Sequence, residues 1–423
     1  MHDAAPARSR DAAPAPTRDA APAPTRDAAP APTHDAAPAP PLSRALTALL
    51  ALTAGVSVAN IYYAQPLVPD LARAFGVAEA SAGLLVTATP LGHAAGLVLL
   101  VPLGDGVDRR RLMLWQCAAL VLALALAAAA PGFAVLVAAS VALGVASTLA
   151  QQAVPFAAGL ADEESRGRTV GTVMSGLLAG ILLARTLSGA VGEHFGWRAM
   201  FALGAALAAG LGVLLRRALP HSRPGTRQGY GALFASLLRL TRRFAALRRA
   251  ATVQALLFGG FSAFWTTLAL LLEARFGLGA TAAGLYGVIG LVGVGAAPLA
   301  GRLADRHGPR GVVGAGIGLV LAGFALVWVR PSLPGLALGT VLLDGGIQLA
   351  MIANQTVVFG LDPAARGRVN TVFMTALFLG ASLGSAGGSA AWAWGGWPAV
   401  CGVCALLTTA ALVAHLAGRY PPR

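Results

Sequence analysis

The sequence predicts an all-α integral membrane protein, with twelve transmembrane helices laid out as two parallel six-helix repeats. Three observations predict it. Of 423 residues, 57% are hydrophobic and only 11% charged, and the mean hydropathy is +0.70; a soluble globule carries roughly a quarter charged residues and could not cover itself with so few. Apolar runs long enough to cross a bilayer recur along the chain, divided by short polar breaks. The second half then echoes the first at a constant offset of 200 residues.

Composition also excludes. A net charge of +14 would suit nucleic acid, but the basic residues lie in loops between apolar runs, so no nucleic-acid partner is expected. Three Cys cannot staple a secreted scaffold. All 31 basic residues are Arg, the mark of a GC-rich and therefore bacterial genome.

Residues 1–41 repeat an Ala/Pro octapeptide (DAAPAPTR and variants) with nothing large to bury. The segment reads as a disordered tail, either a linker or a low-complexity expansion. A spanning helix needs about 20 mostly apolar residues. Six such runs fall in a first bundle, 42–215, at 44–66, 81–103, 112–130, 133–158, 169–192 and 198–215. Six more fall in a second bundle, 251–423, at 251–272, 281–301, 311–330, 335–360, 369–392 and 397–417. Between them, 216–250 is a cytoplasmic linker. Leu233, Leu237, Leu240, Phe244 and Leu247 form one stripe there among Arg239, Arg242, Arg243, Arg248 and Arg249. Such a basic amphipathic helix is expected against the anionic headgroups of the lipid bilayer, with docking to a partner as the alternative.

Arg placement orients the spans. With the N-terminus inside, 21 Arg fall in cytoplasmic segments and four (Arg73, Arg198, Arg275, Arg330) on the other side. The expected location is therefore the bacterial inner membrane, multi-pass, with both termini cytoplasmic.

The repeat is read residue by residue. The offset places Arg166-Gly167-Arg168 on Arg366-Gly367-Arg368, Met174 on Met374, Gly180 on Gly380, and Gly196-Trp197 on Gly396-Trp397. It also places Leu103, Asp105 and Arg110 on Leu303, Asp305 and Arg310. Six is even, so both halves start inside and run parallel, the repeat logic of transporters that rock two bundles about a midplane site.

The segment GRLADRHGPR (301–310) resembles the loop signature of the major facilitator superfamily, and VPLGDGVDRR (101–110) is a degenerate first copy. That copy departs at Val101 and Asp108, where the family usually has Gly, and at Gly106, where it usually has Arg. NIYYAQPLVPDLARAFGV (60–77), GILLARTLSGAVGEHFGWRAMF (180–201) and RGRVNTVFMTALFLG (366–380) are similar to a bacterial efflux-permease subgroup of that family. The resemblance covers 44–417. It implies the major facilitator fold and a cytoplasmic gate at Asp105, Arg109, Arg110, Asp305, Arg306 and Arg310. A charged latch of modest energy suits bundles that must part on each cycle; the plainer reading makes these Arg topology determinants.

Charges inside a span are costly and functional by default. Two qualify: Arg185 in the fifth span, about 10 Å deep, and Asp344 in the tenth, about 14 Å deep. Their repeat counterparts are Ser385 and Gly144, so each is an asymmetric addition. Asp344 is the candidate proton carrier and Arg185 its partner or an anion seat; a fixed ion pair, or an Arg snorkelling outward, is the structural alternative. Polar and aromatic positions on spans 1, 4, 7 and 10 are Ser57, Asn60, Thr148, Gln151, Gln254, Trp265, Gln348 and Gln355. In the resembled fold those spans line the central cavity, so these residues are candidate substrate contacts, or else interhelical packing contacts. Tyr62, Tyr63 and Gln65 read as outer-interface residues. His93, mid-way along the second span, reads either as a group titrating near neutral pH or, as a lone His more often is, as a packed hydrogen-bonding residue. Cys401 and Cys404 read as small packing residues with no metal partner set.

The function expected is secondary active transport by alternating access: proton-coupled efflux (antiport) of a small organic molecule by a monomer. No nucleotide motif or cofactor signature occurs in the sequence. Uptake by symport, or uncoupled facilitation, is the near alternative. A non-transporting sensor or a membrane-embedded enzyme is the distant one, and isolated charges on separate helices do not make a catalytic set.

Overall fold

The computed structural model describes residues 43–221, 230–362 and 365–418, and within them the side chains other than those of 105, 163, 291–301, 304, 305 and 307. The octapeptide tail lies outside the described residues. Helix α1 (Arg44–Ala59) begins on Ser43, whose Oγ accepts from the Leu46 N–H at 3.1 Å. It loosens into 3₁₀ turns at Asn60–Tyr62 and Gln65–Leu67 before α2 (Val68–Phe75). Pro66 and Pro69 have no N–H to continue an α-helical ladder there. The run Arg44–Phe75 is the first span, longer than its apolar core suggested.

Helix α3 (Glu79–Leu99) is the second span, α4 (Leu103–Gly106) a single turn, and α5 (Arg109–Ala128) the third span. The fourth divides into α6 (Phe133–Ala146) and α7 (Leu149–Leu160). At the break the Ser147 and Thr148 hydroxyls donate back to Leu143 O and Val145 O, at 2.7 and 2.8 Å. Helices α8 (Glu163–Phe195) and α9 (Trp197–Ala218) complete the first six. Helix α10 (Tyr230–Arg243) lies in the linker, and α11 (Ala245–Phe276) is the seventh span. Helix α12 (Ala280–Ile289) and the first part of α13 (Leu291–Val329) form the eighth; past Gly308, at φ 79°, α13 continues as the ninth. Helix α14 (Leu333–Gly360) is the tenth span. Helix α15 (Arg366–Ala417) turns at Gly395 and Gly396 into the eleventh and twelfth.

The duplication is visible in the backbone. Gly196 and Gly396 both take positive φ, 83° and 59°, at the same repeat position. A Cβ on Gly180 would overlap the Gly55 backbone, and one on Gly380 would overlap that of Ala255. Spans 1 and 5, and spans 7 and 11, therefore pack backbone to backbone at equivalent levels. One apolar core is built mainly from residues of the first half, Val58 through Phe201, and a second from Val253 through Ala411.

Two ends of the molecule are distinguished by charge: an Arg-rich end, with Arg109–Arg111, Arg166, Arg302 and Arg366, and an Arg-poor end. The linker helix departs from the expected pose. Leu233, Leu237 and Leu240 are buried, and Leu240, Phe244 and Leu247 share a cluster with Val358, Val369 and Phe373. The Leu stripe thus packs on protein, leaving Phe234, Leu238 and Arg239 exposed. Tyr230 Oη donates to Leu99 O at 2.8 Å, tying the start of α10 to the second span.

Candidate functional site

The two halves meet at the Arg-poor end. Arg73 pairs with Glu273, its own repeat counterpart, and holds Asp70 at 2.5 Å. Glu193 accepts from the Thr281 N–H, and Glu79 from the Trp392 indole, each at 2.7 Å. Deeper, Thr87 Oγ1 donates to Ser385 Oγ at 3.2 Å, Ser382 Oγ to Thr87 O at 2.9 Å, and Thr186 Oγ1 to Gly284 O at 3.0 Å. The second span packs on the eleventh and the fifth on the eighth, and the repeat relates these two contacts.

Below this seam lies Arg185, with only 3% of its surface exposed. Its Nε donates to Gln65 Oε1 at 2.7 Å. The guanidinium carbon is 4.5 Å from the Tyr62 ring centroid and 4.1 Å from that of Trp265, with Phe261 at 6.0 Å. Such stacking replaces part of the lost hydration of a buried cation. Arg185 Nη2 nevertheless has no hydrogen-bond partner in the protein.

Asp344 is half-buried as a residue, but its Oδ2 is enclosed and also unpartnered. The two charges interact electrostatically without forming an ion pair. The glycine edge of the eighth span runs beside both. A Cβ on Gly287 would lie 3.0 Å from Arg185 Cβ, and one on Gly290 3.0 Å from Asp344 Oδ2. In the other half Thr87 stands where Gly287 does, and it faces Ser385, the counterpart of Arg185.

The cavity candidates divide by how their polar atoms are used. Ser57 donates to Ser147 O at 2.7 Å and accepts from the Ala150 N–H, joining spans 1 and 4. Thr148 Oγ1 accepts from Gln116 Nε2 at 2.9 Å while donating to its own helix. These two hydroxyls are committed to packing. Asn60 Oδ1, Gln254 Nε2 and Trp265 Nε1 are buried without partners, although Gln254 Oε1 accepts from Asn354 at 3.3 Å. Gln151, Gln348 and Gln355 are half-buried. His93 is fully buried, its Nδ1 3.3 Å from Gly144 O and its ring 4.3 Å from that of Phe378.

Sequence reasoning missed the use made of Tyr62 and Gln65. Both were expected at the interface, and both are buried around Arg185 because the 3₁₀ turns fold them inward. It also missed Asn354, and at the Arg-rich end His221.

There, His221 Nδ1 is 3.0 Å from Asp108 Oδ2 and its Nε2 2.6 Å from Arg110 Nη1. Arg110 Nη2 donates to Arg216 O at 2.7 Å, and Arg109 Nε to Gly104 O at 2.9 Å. Asp108, where the sequence departs from the signature's usual Gly, also caps α5 by accepting from the Arg110 N–H. These contacts join the first half to the start of the linker and do not reach the second half. In the second, His415 bonds the Arg310 backbone and Arg306 is exposed. The side chains of Asp105 and Asp305 lie outside the described residues.

Residues 50–305 and 292–423 match the Major Facilitator Superfamily. The chain is 38% identical over 362 residues to the uncharacterized transporter YgaY of Escherichia coli O157:H7, covering 85% of this chain and 92% of that one. It is 30% identical over 326 residues to the chloramphenicol resistance protein of Streptomyces lividans, covering 74% and 79%. Among solved structures, a bacterial homologue of the human lysosomal transporter Spinster, inward-facing and occupied, superposes with a TM-score of 0.68 at 16% identity, over 89% and 95% of the two chains. Twelve helical spans, an internal repeat and these matches lead to one identification: the chain is a multi-pass membrane transporter, not an enzyme, and belongs to the Major Facilitator Superfamily.

Proposed function

We propose that the protein exports a small organic molecule in exchange for protons, with Asp344 as the proton site and Arg185 as its counter-charge. One observation carries the reading: two opposite charges lie within the membrane near the junction of the halves, each with a buried polar atom left unpartnered. A carboxylate whose main compensating charge is one nearby guanidinium has a proton affinity that follows their separation. Rocking the first bundle, which carries Arg185, against the second, which carries Asp344 and the eighth span, changes that separation and so couples protonation to conformation.

The Arg asymmetry supports a cytoplasmic Arg-rich end, so the contacts at the Arg-poor end make this state inward-facing. In that reading the 42–215 and 251–423 bundles rock as units. Asp105, Arg109, Arg110, Asp305, Arg306 and Arg310 form the opposing latch when the cytoplasmic end closes, after Arg110 leaves His221. Asn60, Gln151, Gln254, Trp265, Gln348 and Gln355 line the substrate path. Arg239, Arg242 and Arg243 on α10 face anionic headgroups.

The test is proton flux in proteoliposomes, wild type against Asp344→Asn, across amphipathic drugs including chloramphenicol and across small metabolites. Substrate-dependent proton movement in the direction opposite to the substrate, lost in the variant, is the expected result. Proton and substrate moving together would make the protein a symporter. Undiminished coupled flux in the variant would remove Asp344 from the mechanism and make His93 the next candidate.

A further inference from the structure

The unpartnered atoms also bear on what is carried, an inference that rests on the exchange reading above. Arg185 is held at several points: Gln65 takes its Nε, and Tyr62 and Trp265 cover the two nearest ring contacts. Its Nη2 remains an unused, buried donor, and Asp344 Oδ2 an unused, enclosed acceptor. A purely structural pair gains most by direct contact with full hydrogen bonding. Here the cation is pinned elsewhere and forms no ion pair with Asp344, although Arg185 borders the glycine edge through its Cβ at Gly287 and Asp344 through its Oδ2 at Gly290.

We propose that this site takes a zwitterionic small molecule with an apolar body, its carboxylate on Arg185 and its ammonium group on Asp344. The paired poles sum to zero charge, so a solute with matching poles leaves neither buried charge uncompensated. A simple organic anion would satisfy Arg185 and strand Asp344; a simple amine would do the reverse. Trp265, Tyr62 and Phe261 ring the guanidinium, so the solute's carboxylate meets Arg185 within an aromatic surround that an apolar body matches. The same arrangement makes solute and proton mutually exclusive, since protonating Asp344 removes the anionic pole that seats the ammonium group. One proton enters as one zwitterion leaves, so each cycle moves one net positive charge inward.

Three probes sharing one body test this: phenylalanine, phenethylamine and 3-phenylpropanoate, each offered to wild-type proteoliposomes with an internal pH dye. Phenylalanine is expected to drive counter-movement of protons at least about tenfold faster than either singly charged analogue, a difference of about 1.4 kcal/mol. An inside-positive potential should slow phenylalanine efflux coupled to proton entry. In Arg185→Gln, monodisperse by size exclusion, the preference should turn toward phenethylamine. Equal or faster flux with either analogue overturns the proposal. If chloramphenicol moves protons while none of the three probes does, the substrate class is wrong and the exchange reading stands. If no compound moves protons, the exchange reading fails and this inference with it.

Discussion

Reversing the charge of Arg73 tests whether the seam at the Arg-poor end sets the resting conformation. Arg73 pairs with Glu273 across the halves and with Asp70 within its own turn, and their side chains are 60%, 38% and 30% exposed. Solvent screens such pairs, so the inter-half contact contributes only about 0.2–1 kcal/mol. Arg73→Glu removes that attraction and sets like charges against each other, for a total of about 0.5–2 kcal/mol against the closed seam. At about 1.4 kcal/mol per decade, the population open at this end rises about 2- to 30-fold. A cleft of about 240 Å³ beside the pair, lined by Pro66, Asp70, Ala269 and Leu278, provides the reporter. Ala269 is buried, as are Cys117, Cys401 and Cys404, so an Ala269→Cys thiol should react with an impermeant maleimide mainly when the seam parts. Its labelling rate should rise by that factor in Arg73→Glu and fall most of the way back in Arg73→Glu/Glu273→Arg. Recovery stays incomplete because Asp70 then faces a like charge. Wild-type labelling in the single variant, or no recovery in the double, would refute a gating role for the pair.

Three further outcomes follow from the same geometry. Gln65→Leu removes the acceptor of Arg185 Nε, a charged hydrogen bond contributing about 1.5–3 kcal/mol, and should lower coupled flux about tenfold or more with little change in protein yield. Gly290→Ala places a methyl 3.0 Å from Asp344 Oδ2 and 3.3 Å from Leu182 Cδ2; coupled flux should fall, while the melting temperature drops by no more than overpacking of about 1–3 kcal/mol implies. Gly384→Val drives a side chain into the Gly259 backbone where spans 7 and 11 touch, and should abolish monodisperse protein by size exclusion.

What the sequence made legible is what a bilayer forces on any chain. Continuous apolar length and the 200-residue echo gave the twelve spans, because no lipid-facing backbone can leave its hydrogen bonds unmade. Small differences sit where local chemistry departs from hydropathy: Pro66 and Pro69 unwind the first span, and Ser147 and Thr148 divide the fourth. The isolated charges Arg185 and Asp344 stood out by cost alone. Their surroundings did not, since the Gln65 and Tyr62 contacts with Arg185 cross between spans 120 or so residues apart in sequence and depend on how a 3₁₀ turn aims two side chains. The Leu stripe of α10 shows the same limit: amphipathic periodicity gives a face, but protein and lipid compete for it, and here Val358, Val369 and Phe373 lie on it.

The repeat also explains why two buried charges fit where they do. At the seam between spans 2 and 11, Thr87 meets Ser385, two side chains of moderate size. At the equivalent seam between spans 8 and 5, Gly287 meets Arg185, so bulk lost on one helix becomes room for the arginine stem on the other. The interface inside each half differs between the halves as well. Gly144 lies against the Thr89 and His93 backbone in the first, while its counterpart Asp344 lies against Gly290 in the second. Each charge therefore stands opposite a glycine of the eighth span, and at the Arg185 position the counterpart contact keeps a threonine on the second. A symmetric scaffold has been made asymmetric along one helix edge, with Arg185 and Asp344 on either side of it. If that edge serves coupling rather than packing, returning it to its repeat partner by Gly287→Thr should leave a folded bundle with the Arg185–Asp344 communication broken. Proton flux should then no longer depend on substrate, whereas unchanged coupling in a folded Gly287→Thr protein would reduce the edge to packing alone.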